Sequence, residues 1–95
     1  MITPNKRAEL RKQAQSLEPV MQVGKDGLTI NVVNTADQAL YARELIKITV
    51  LEGCELEVKE VASLLSERCK ADIVQVIGRK IVLYKQNLDK RIRKK

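Results

Sequence analysis

Helical periodicity marks three segments of this chain. Within each segment apolar residues recur every three or four positions, as Leu10, Ala14 and Leu17 do in the first. Threonines stand where the first two helices should begin, at Thr3 and Thr29, and a threonine hydroxyl can accept a hydrogen bond from a free amide there. The predicted helices cover residues 4–16, 30–43 and 55–70.

Strand-like segments lie between and after these helices. Residues 44–51 alternate most clearly, because Ile46 and Ile48 fall on one face while Lys47 and Thr49 fall on the other. The other predicted strands cover residues 20–23, 72–77 and 80–85, and the last two are joined by a short turn at residues 78–79.

The resulting order of elements is α-β-α-β-α-β-β. Helices that connect strands pack on one face of a sheet through right-handed crossovers, so this order predicts an α/β (α+β) fold, a two-layer sandwich with a four-stranded mixed sheet. A chain of 95 residues suits one core. We therefore assign residues 1–86 to a single domain and residues 87–95 to a basic C-terminal tail.

The net charge favours polyanionic partners. The chain has 18 Lys and Arg against 12 Asp and Glu, a formal charge of +6. Residues 86–95 contain five basic and one acidic residue, and residues 4–18 contain four and two. Residues 52–72 contain three basic and six acidic residues, so a polyanion should avoid the third helix.

Several classes of function are disfavoured by composition. The chain has no histidine, and Cys54 and Cys69 stand alone, so no Cys/His metal site or CxxC redox motif can be built. Glu57 and Glu60 read as solvated helix charges rather than a catalytic pair. We expect a monomeric, non-enzymatic, cytoplasmic protein without cofactor, metal, small-molecule substrate or membrane span.

A glycine loop is the strongest candidate for a binding site. Gly24, Lys25, Asp26 and Gly27 stand between a predicted strand and a predicted helix. Glycines allow close approach of the backbone, and a helix start offers free amides and a positive dipole end, which together favour a phosphate. The alternative is a plain strand-to-helix turn. If the loop binds phosphate, bulky residues at both glycines should weaken binding while stability stays near that of the wild type.

Further candidate contacts are basic residues of the first helix and of the last turn. They are Lys6, Arg7, Arg11, Lys12, Arg79 and Lys80. Only two aromatic residues exist, Tyr41 and Tyr84, so a platform on which bases stack is hard to build. Recognition of a nucleic acid should therefore depend on its backbone and shape.

Three ordered motifs resemble a known family. They are LEPVMQVGKDGLT at residues 17–29, ELIKI at residues 44–48 and VIGRKIVLY at residues 76–84. Together they are similar to the YhbY-type CRM domain, named for chloroplast RNA splicing and ribosome maturation, over residues 6–85. With a single domain, the chain resembles the stand-alone bacterial members.

The resemblance implies an RNA-binding module shaped like the C-terminal domain of translation initiation factor three, with a GxxG loop reminiscent of KH domains. It also implies a role with ribosomal RNA in precursors of the large (50S) ribosomal subunit, and contact with RNA through residues 24–27. The residues leave two alternatives open. One is an architectural binder of duplex nucleic acid, and the other is a protein-interaction module whose charge keeps it soluble.

Overall fold

The structure is a computed structural model, and it describes residues 2–86. The predicted tail, residues 87–95, lies outside the described residues. The elements are α1 (Pro4–Ala14), β1 (Met21–Val23), α2 (Ile30–Arg43), β2 (Leu45–Val50), α3 (Val58–Cys69), β3 (Asp72–Ile77) and β4 (Lys80–Tyr84). The predicted order of elements is therefore confirmed, and most boundaries lie within two residues of the predicted ones.

The four strands form one mixed sheet in the order β1-β2-β4-β3. β1 and β2 run parallel, as the helical connection through α2 requires, and β4 is antiparallel to both β2 and β3. The β3–β4 hairpin closes through Gly78 and Arg79, and Gly78 has a positive φ of 56°. The predicted four-stranded mixed sheet is thus confirmed.

Most of the core lies between one sheet face and the helices α2 and α3. Every second residue of β2 points into it, and these side chains are fully buried, as the alternation predicted. The fully buried members are Val23, Ala36, Leu40, Ile46, Ile48, Val50, Val61, Leu65, Ile81 and Leu83. These residues make the predicted two-layer sandwich.

The first helix lies on the opposite face of the sheet. Leu10 and Ala14 of α1 pack with Val74 and Val82 in a second, smaller cluster. Side chains on neighbouring positions of a strand point to opposite faces, so Val82 faces α1 while Ile81 and Leu83 face α2 and α3. The two-layer prediction therefore omits a helix that covers part of the second face.

Side chains define the helix starts. The hydroxyl oxygens of Thr3 and Thr29 accept hydrogen bonds of 3.1 Å from the backbone amides of Lys6 and Val32, which confirms both predicted caps. α3 begins three residues later than predicted because Glu57 is its N-cap. The Glu60 carboxylate accepts a hydrogen bond of 3.1 Å from the Glu57 amide. Glu60 therefore helps to cap the start of α3.

A glycine at position 70 should stabilise the protein. Lys70 ends α3 in the left-handed conformation (φ 57°, ψ 45°), which glycine adopts without a steric cost at Cβ. We expect Lys70→Gly to raise the free energy of unfolding in urea by about 0.5–1 kcal/mol. Glu67→Gly, still within α3, should lower it by roughly the same amount. Changes of the same sign in both variants would contradict this account.

Candidate nucleic-acid interface

The glycine loop is a closed turn with an exposed tip. The amide of Gly27 donates to the carbonyl of Gly24 at 3.0 Å, and the Thr29 amide donates to the Gly27 carbonyl at 3.2 Å. Gly27 is buried with φ +69°, whereas Lys25 and Asp26 are exposed between the two glycines. The backbone thus presents a basic and an acidic side chain together at the tip of the turn.

The backbone requires glycine at one of the two positions and permits other residues at the other. A Cβ at Gly27 would meet the Leu56 side chain at 3.7 Å, an ordinary contact, so the positive φ is what selects glycine there. Gly24 has no positive φ, and a Cβ would meet only the Leu51 side chain at 3.9 Å. The expectation that both glycines can be replaced without loss of stability is therefore wrong for Gly27.

Alanine substitutions should separate these roles. Gly27→Ala is expected to lower the free energy of unfolding by about 1–2 kcal/mol, because an L-residue is strained at this φ. Gly24→Ala should change it by less than about 0.5 kcal/mol, since the backbone is permissive and the space is open. Urea denaturation of the two variants measures both values, and equal losses would show that the φ at residue 27 does not determine the cost.

Backbone hydrogen bonds bring the glycine loop and the β3–β4 turn to the same end of the sheet. The Leu51 amide donates to the Val23 carbonyl at 2.8 Å, and the Val50 amide donates to the Arg79 carbonyl at 2.8 Å. The Arg79 guanidinium also reaches the Leu51 carbonyl at 3.5 Å. The last residues of β1 and β2 therefore join residues 24–27 to residues 78–79.

Three of the predicted basic contacts share this end. Lys25 is exposed on the glycine loop, and Arg79 and Lys80 are exposed at the start of β4. Their common location makes one positively charged edge, which we call the loop edge: Lys25, Arg79 and Lys80. More than fifty residues separate Lys25 from Arg79 and Lys80 in sequence, and the pairing of β1 with β2 and of β2 with β4 places all three at the same end of the sheet.

Acidic residues lie beside the loop edge. A depression of about 570 Å³ contains Glu52, Glu55 and Glu57 together with Arg79. Gly53 lies close to the glycine loop, because a Cβ built on it would be 3.8 Å from Cβ of Lys25. The acidic side predicted from residues 52–72 therefore begins directly next to the glycine loop, and its carboxylates would repel a polyanion on the α3 side of the loop edge.

The basic residues of α1 are dispersed. Lys6, Arg11 and Lys12 are exposed, but Arg7 is half-buried, and its Nε is buried without a hydrogen-bond partner in the described structure. Arg7 lies three residues before Leu10 on the face of α1 that packs on the sheet, and its partial burial shows that it turns toward the sheet more than the three exposed residues do. Of the four predicted contacts on α1, Arg7 is therefore the least accessible to a ligand.

Lys6 lies far from the loop edge. Its Nζ is 5.5 Å from the centre of the Tyr84 ring, at the end of β4 opposite to Lys80. Four residues of a strand separate the two positions by roughly 13 Å. The structure thus groups the glycine loop with Arg79 and Lys80, and it does not bring Lys6 into that group.

One further lysine, Lys47, is not among the predicted contacts. Lys47 lies opposite Val82 on the sheet face that α1 covers in part, and it is half-buried. The alternation of residues 44–51 had placed Lys47 on the face away from Ile46 and Ile48. That signal could have marked it as a binding residue, had the position of α1 been known.

The cysteines are packing residues. Burial raises the pKa of the Cys69 thiol, the Asp37 carboxylate raises it further, and the Lys85 ammonium opposes this. The thiol donates to the Val33 carbonyl at 3.8 Å.

Within residues 2–86 no cluster of three or more His, Cys, Asp or Glu side chains could hold a metal ion. The same stretch contains no helix of the length and apolarity needed to cross a bilayer.

Comparisons with known proteins agree with the fold. Residues 2–85 match the model of the CRS1 / YhbY (CRM) domain. A solution structure of the hypothetical protein SAV1595 from Staphylococcus aureus, described as a candidate RNA binding protein, superposes with a TM-score of 0.79. The two chains are 40% identical, and the superposition covers 90% of each.

Curated relatives extend along nearly the whole chain. The probable RNA-binding protein YqeI of Bacillus subtilis is 42% identical over 87 residues, which are 92% of this chain and 91% of the relative. A Haemophilus influenzae protein named RNA-binding protein is 33% identical over 92 residues, 96% of this chain and 92% of its own length. On the match of its sequence and of its fold, this chain belongs to the CRS1 / YhbY (CRM) domain family.

Proposed function

We propose that this protein binds structured RNA through the glycine loop and the loop edge, without catalysing a reaction. The observation that carries the proposal is the location of the exposed Lys25 at the same end of the sheet as Arg79 and Lys80, where α2 begins. The printed names of the relatives, which describe RNA-binding proteins, support RNA as the polyanion.

Phosphate groups are the chemical target of this surface. The start of α2 directs the positive end of its dipole toward the glycine loop, and lysine and arginine side chains neutralise phosphates nearby. Glu52 and Glu55 lie on the α3 side of the same end, so repulsion should restrict the RNA to the side of the sheet that α1 partly covers. The arrangement therefore favours one orientation of the bound RNA.

The RNA partner in this proposal is ribosomal RNA in precursors of the large ribosomal subunit, with the protein acting as a monomeric assembly factor. The support is the family resemblance of residues 24–27 and of the other two motifs. Crosslinking of the purified full chain to ribosomal precursor RNA, followed by mapping of the crosslinked nucleotides, tests this. We expect crosslinks to concentrate in large-subunit RNA, and an even spread over all cellular RNA would reject the ribosomal assignment.

A graded series at Gly24 tests the role of the loop. Gly24→Leu should lower affinity for folded ribosomal RNA by about tenfold or more, because the side chain obstructs approach of the backbone to a phosphate. Gly24→Ala should bind nearly as the wild type does, and both should unfold near the wild-type midpoint. Binding is measured by filter retention at fixed salt. Undiminished binding by Gly24→Leu would exclude the loop from the interface.

General binding of duplex nucleic acid is the competing function, because lysine and arginine contacts to phosphates carry no sequence information. Competition at fixed salt between folded ribosomal RNA and duplex DNA separates the two functions. We expect the RNA to displace a labelled RNA at lower concentration, through its shape and its 2′-hydroxyl groups. Equal displacement would favour the architectural role.

A further inference from the structure

A small depression lies on the sheet face that α1 covers only in part. Its volume is about 270 Å³, and it is bounded by the C-terminal end of α1 and by β2, β3 and β4. The lining residues are Ala14, Gln15, Lys47, Gln75, Ile77, Lys80 and Val82. We call this depression the sheet pocket.

Strand register explains why the sheet pocket exists. Lys47, Val82 and Gln75 stand in one row across three strands, and Lys80 pairs with Ile77 in the next row toward the loop edge. Side chains in such rows share a face. Because α1 ends at Ala14, it covers Val82 but leaves the row of Lys80 and Ile77 open; the Ile77 side chain is 60% exposed.

The lining combines an apolar floor with polar rims. Ala14 and Val82 are 2% and 3% exposed and form the floor, while Gln15 and Gln75 contribute amide groups that both donate and accept hydrogen bonds. Lys47 and Lys80 contribute two ammonium groups, and no carboxylate of residues 2–86 lines the pocket. The depression beside the glycine loop differs, because its three glutamates outnumber its two basic residues, Lys59 and Arg79.

We propose that the sheet pocket binds one unpaired nucleotide of the RNA, an inference that rests on the proposed RNA-binding function. An extruded base would place its face on the exposed Ile77 side chain, next to the end of α1, and its edge would exchange hydrogen bonds with Gln75. The two lysines would hold the flanking phosphates. RNA bound at the loop edge reaches this pocket directly, since Lys80 belongs to both.

Charge selects a nucleotide over an apolar protein side chain as the occupant. A nonpolar side chain would desolvate the ammonium groups of Lys47 and Lys80 without compensation, whereas a nucleotide carries phosphates that pair with them. The pocket thus gives the protein a means to prefer RNA containing a bulge or loop over a continuous duplex. Contacts to phosphates alone provide no such preference.

The test uses two RNA hairpins, one fully paired and one that differs by a single bulged nucleotide, carrying each of the four bases in turn. Fluorescence anisotropy measures the affinity of the full chain for each at fixed salt. The wild type should bind the preferred bulged hairpin at least about fivefold more tightly than the paired one, the effect of roughly one hydrogen bond. Gln75→Leu, which keeps the size but removes the amide, should abolish this difference while the paired hairpin is bound as before.

A matched control is Gln38→Leu on the exposed side of α2, which should retain the preference. Loss of the preference in Gln75→Leu alone, together with a photocrosslink from the bulged nucleotide to β3, supports the inference. If the wild type binds all hairpins equally, or if Gln75→Leu keeps the preference, the sheet pocket does not bind an unpaired nucleotide and the inference is wrong. If the wild type binds no hairpin at all, the proposed function itself fails.

Discussion

Lys25→Glu combined with Lys80→Glu is expected to lower the affinity for folded ribosomal RNA by about a hundredfold, roughly tenfold for each charge-assisted hydrogen bond to a phosphate. Both side chains are exposed, and they lie at the end of the sheet where the glycine loop meets the β3–β4 turn. Arg79 is left unchanged because its guanidinium also contacts the Leu51 carbonyl, so its loss could disturb the turn. The magnitude of the slope of log K against log salt should fall by about two, since each phosphate that is no longer neutralised reduces it by about one.

The matched control reverses two charges on another surface. Arg68→Glu with Lys70→Glu changes the net charge by the same amount, but these residues lie at the end of α3, next to the start of β3 and away from the loop edge. We expect a much smaller loss of affinity from long-range repulsion alone. Filter binding across a salt series measures both variants. Equal losses would show that RNA responds to total charge and not to the loop edge.

Ile48→Ala should cause the largest loss of stability among single substitutions in the sheet. Ile48 is fully buried at the centre of β2, with β1 on one side and β4 on the other. Removing a buried isoleucine side chain costs about 2–5 kcal/mol, because less apolar surface is buried and a cavity is left behind. This is a large part of the roughly 5–15 kcal/mol that stabilises a typical domain. The midpoint of urea denaturation should fall accordingly.

Ile77→Ala is the control for this prediction. Ile77 is also a strand isoleucine, but it is 60% exposed on the other face of the sheet. Its removal should change the free energy of unfolding by less than about 0.5–1 kcal/mol. A comparable loss in both variants would mean that the sheet buries both faces to a similar extent.

Local patterns predicted most of the fold. The threonine caps at positions 3 and 29, the alternation of β2 and the turn at Gly78 each depend on residues within a few positions of one another, and such rules can be read from sequence. The same is true of Gly27, although the sequence did not distinguish its need for a positive φ from the permissive position at Gly24. The start of α3 differs from the predicted one because Glu57 and Glu60 form the helix cap, whereas the sequence alone suggested solvated charges.

The candidate site could be predicted only in part. The sequence singled out residues 24–27 and the basic residues of the turn, and their role in binding stays a prediction. It could not show that Arg7 turns toward the sheet, that Lys47 lines a pocket, or that the acidic segment begins beside the glycine loop. Each of these facts depends on which face of the sheet α1 occupies and on the pairing of strands distant in sequence.

The range of the interactions explains why the elements could be predicted from sequence and the shared surface could not. Helix periods, strand alternation, caps and glycine turns are set by interactions within about four residues, so the chain determines its elements and its basic character locally. The common location of Lys25 and Lys80 depends instead on the hydrogen bonds that join β1 to β2 and β2 to β4. The sheet pocket depends on α1 ending at Ala14 against β4. Many topologies satisfy the same local pattern. Burial of one sheet face under α2 and α3, and of Val74 and Val82 under α1, selects the topology that forms this surface.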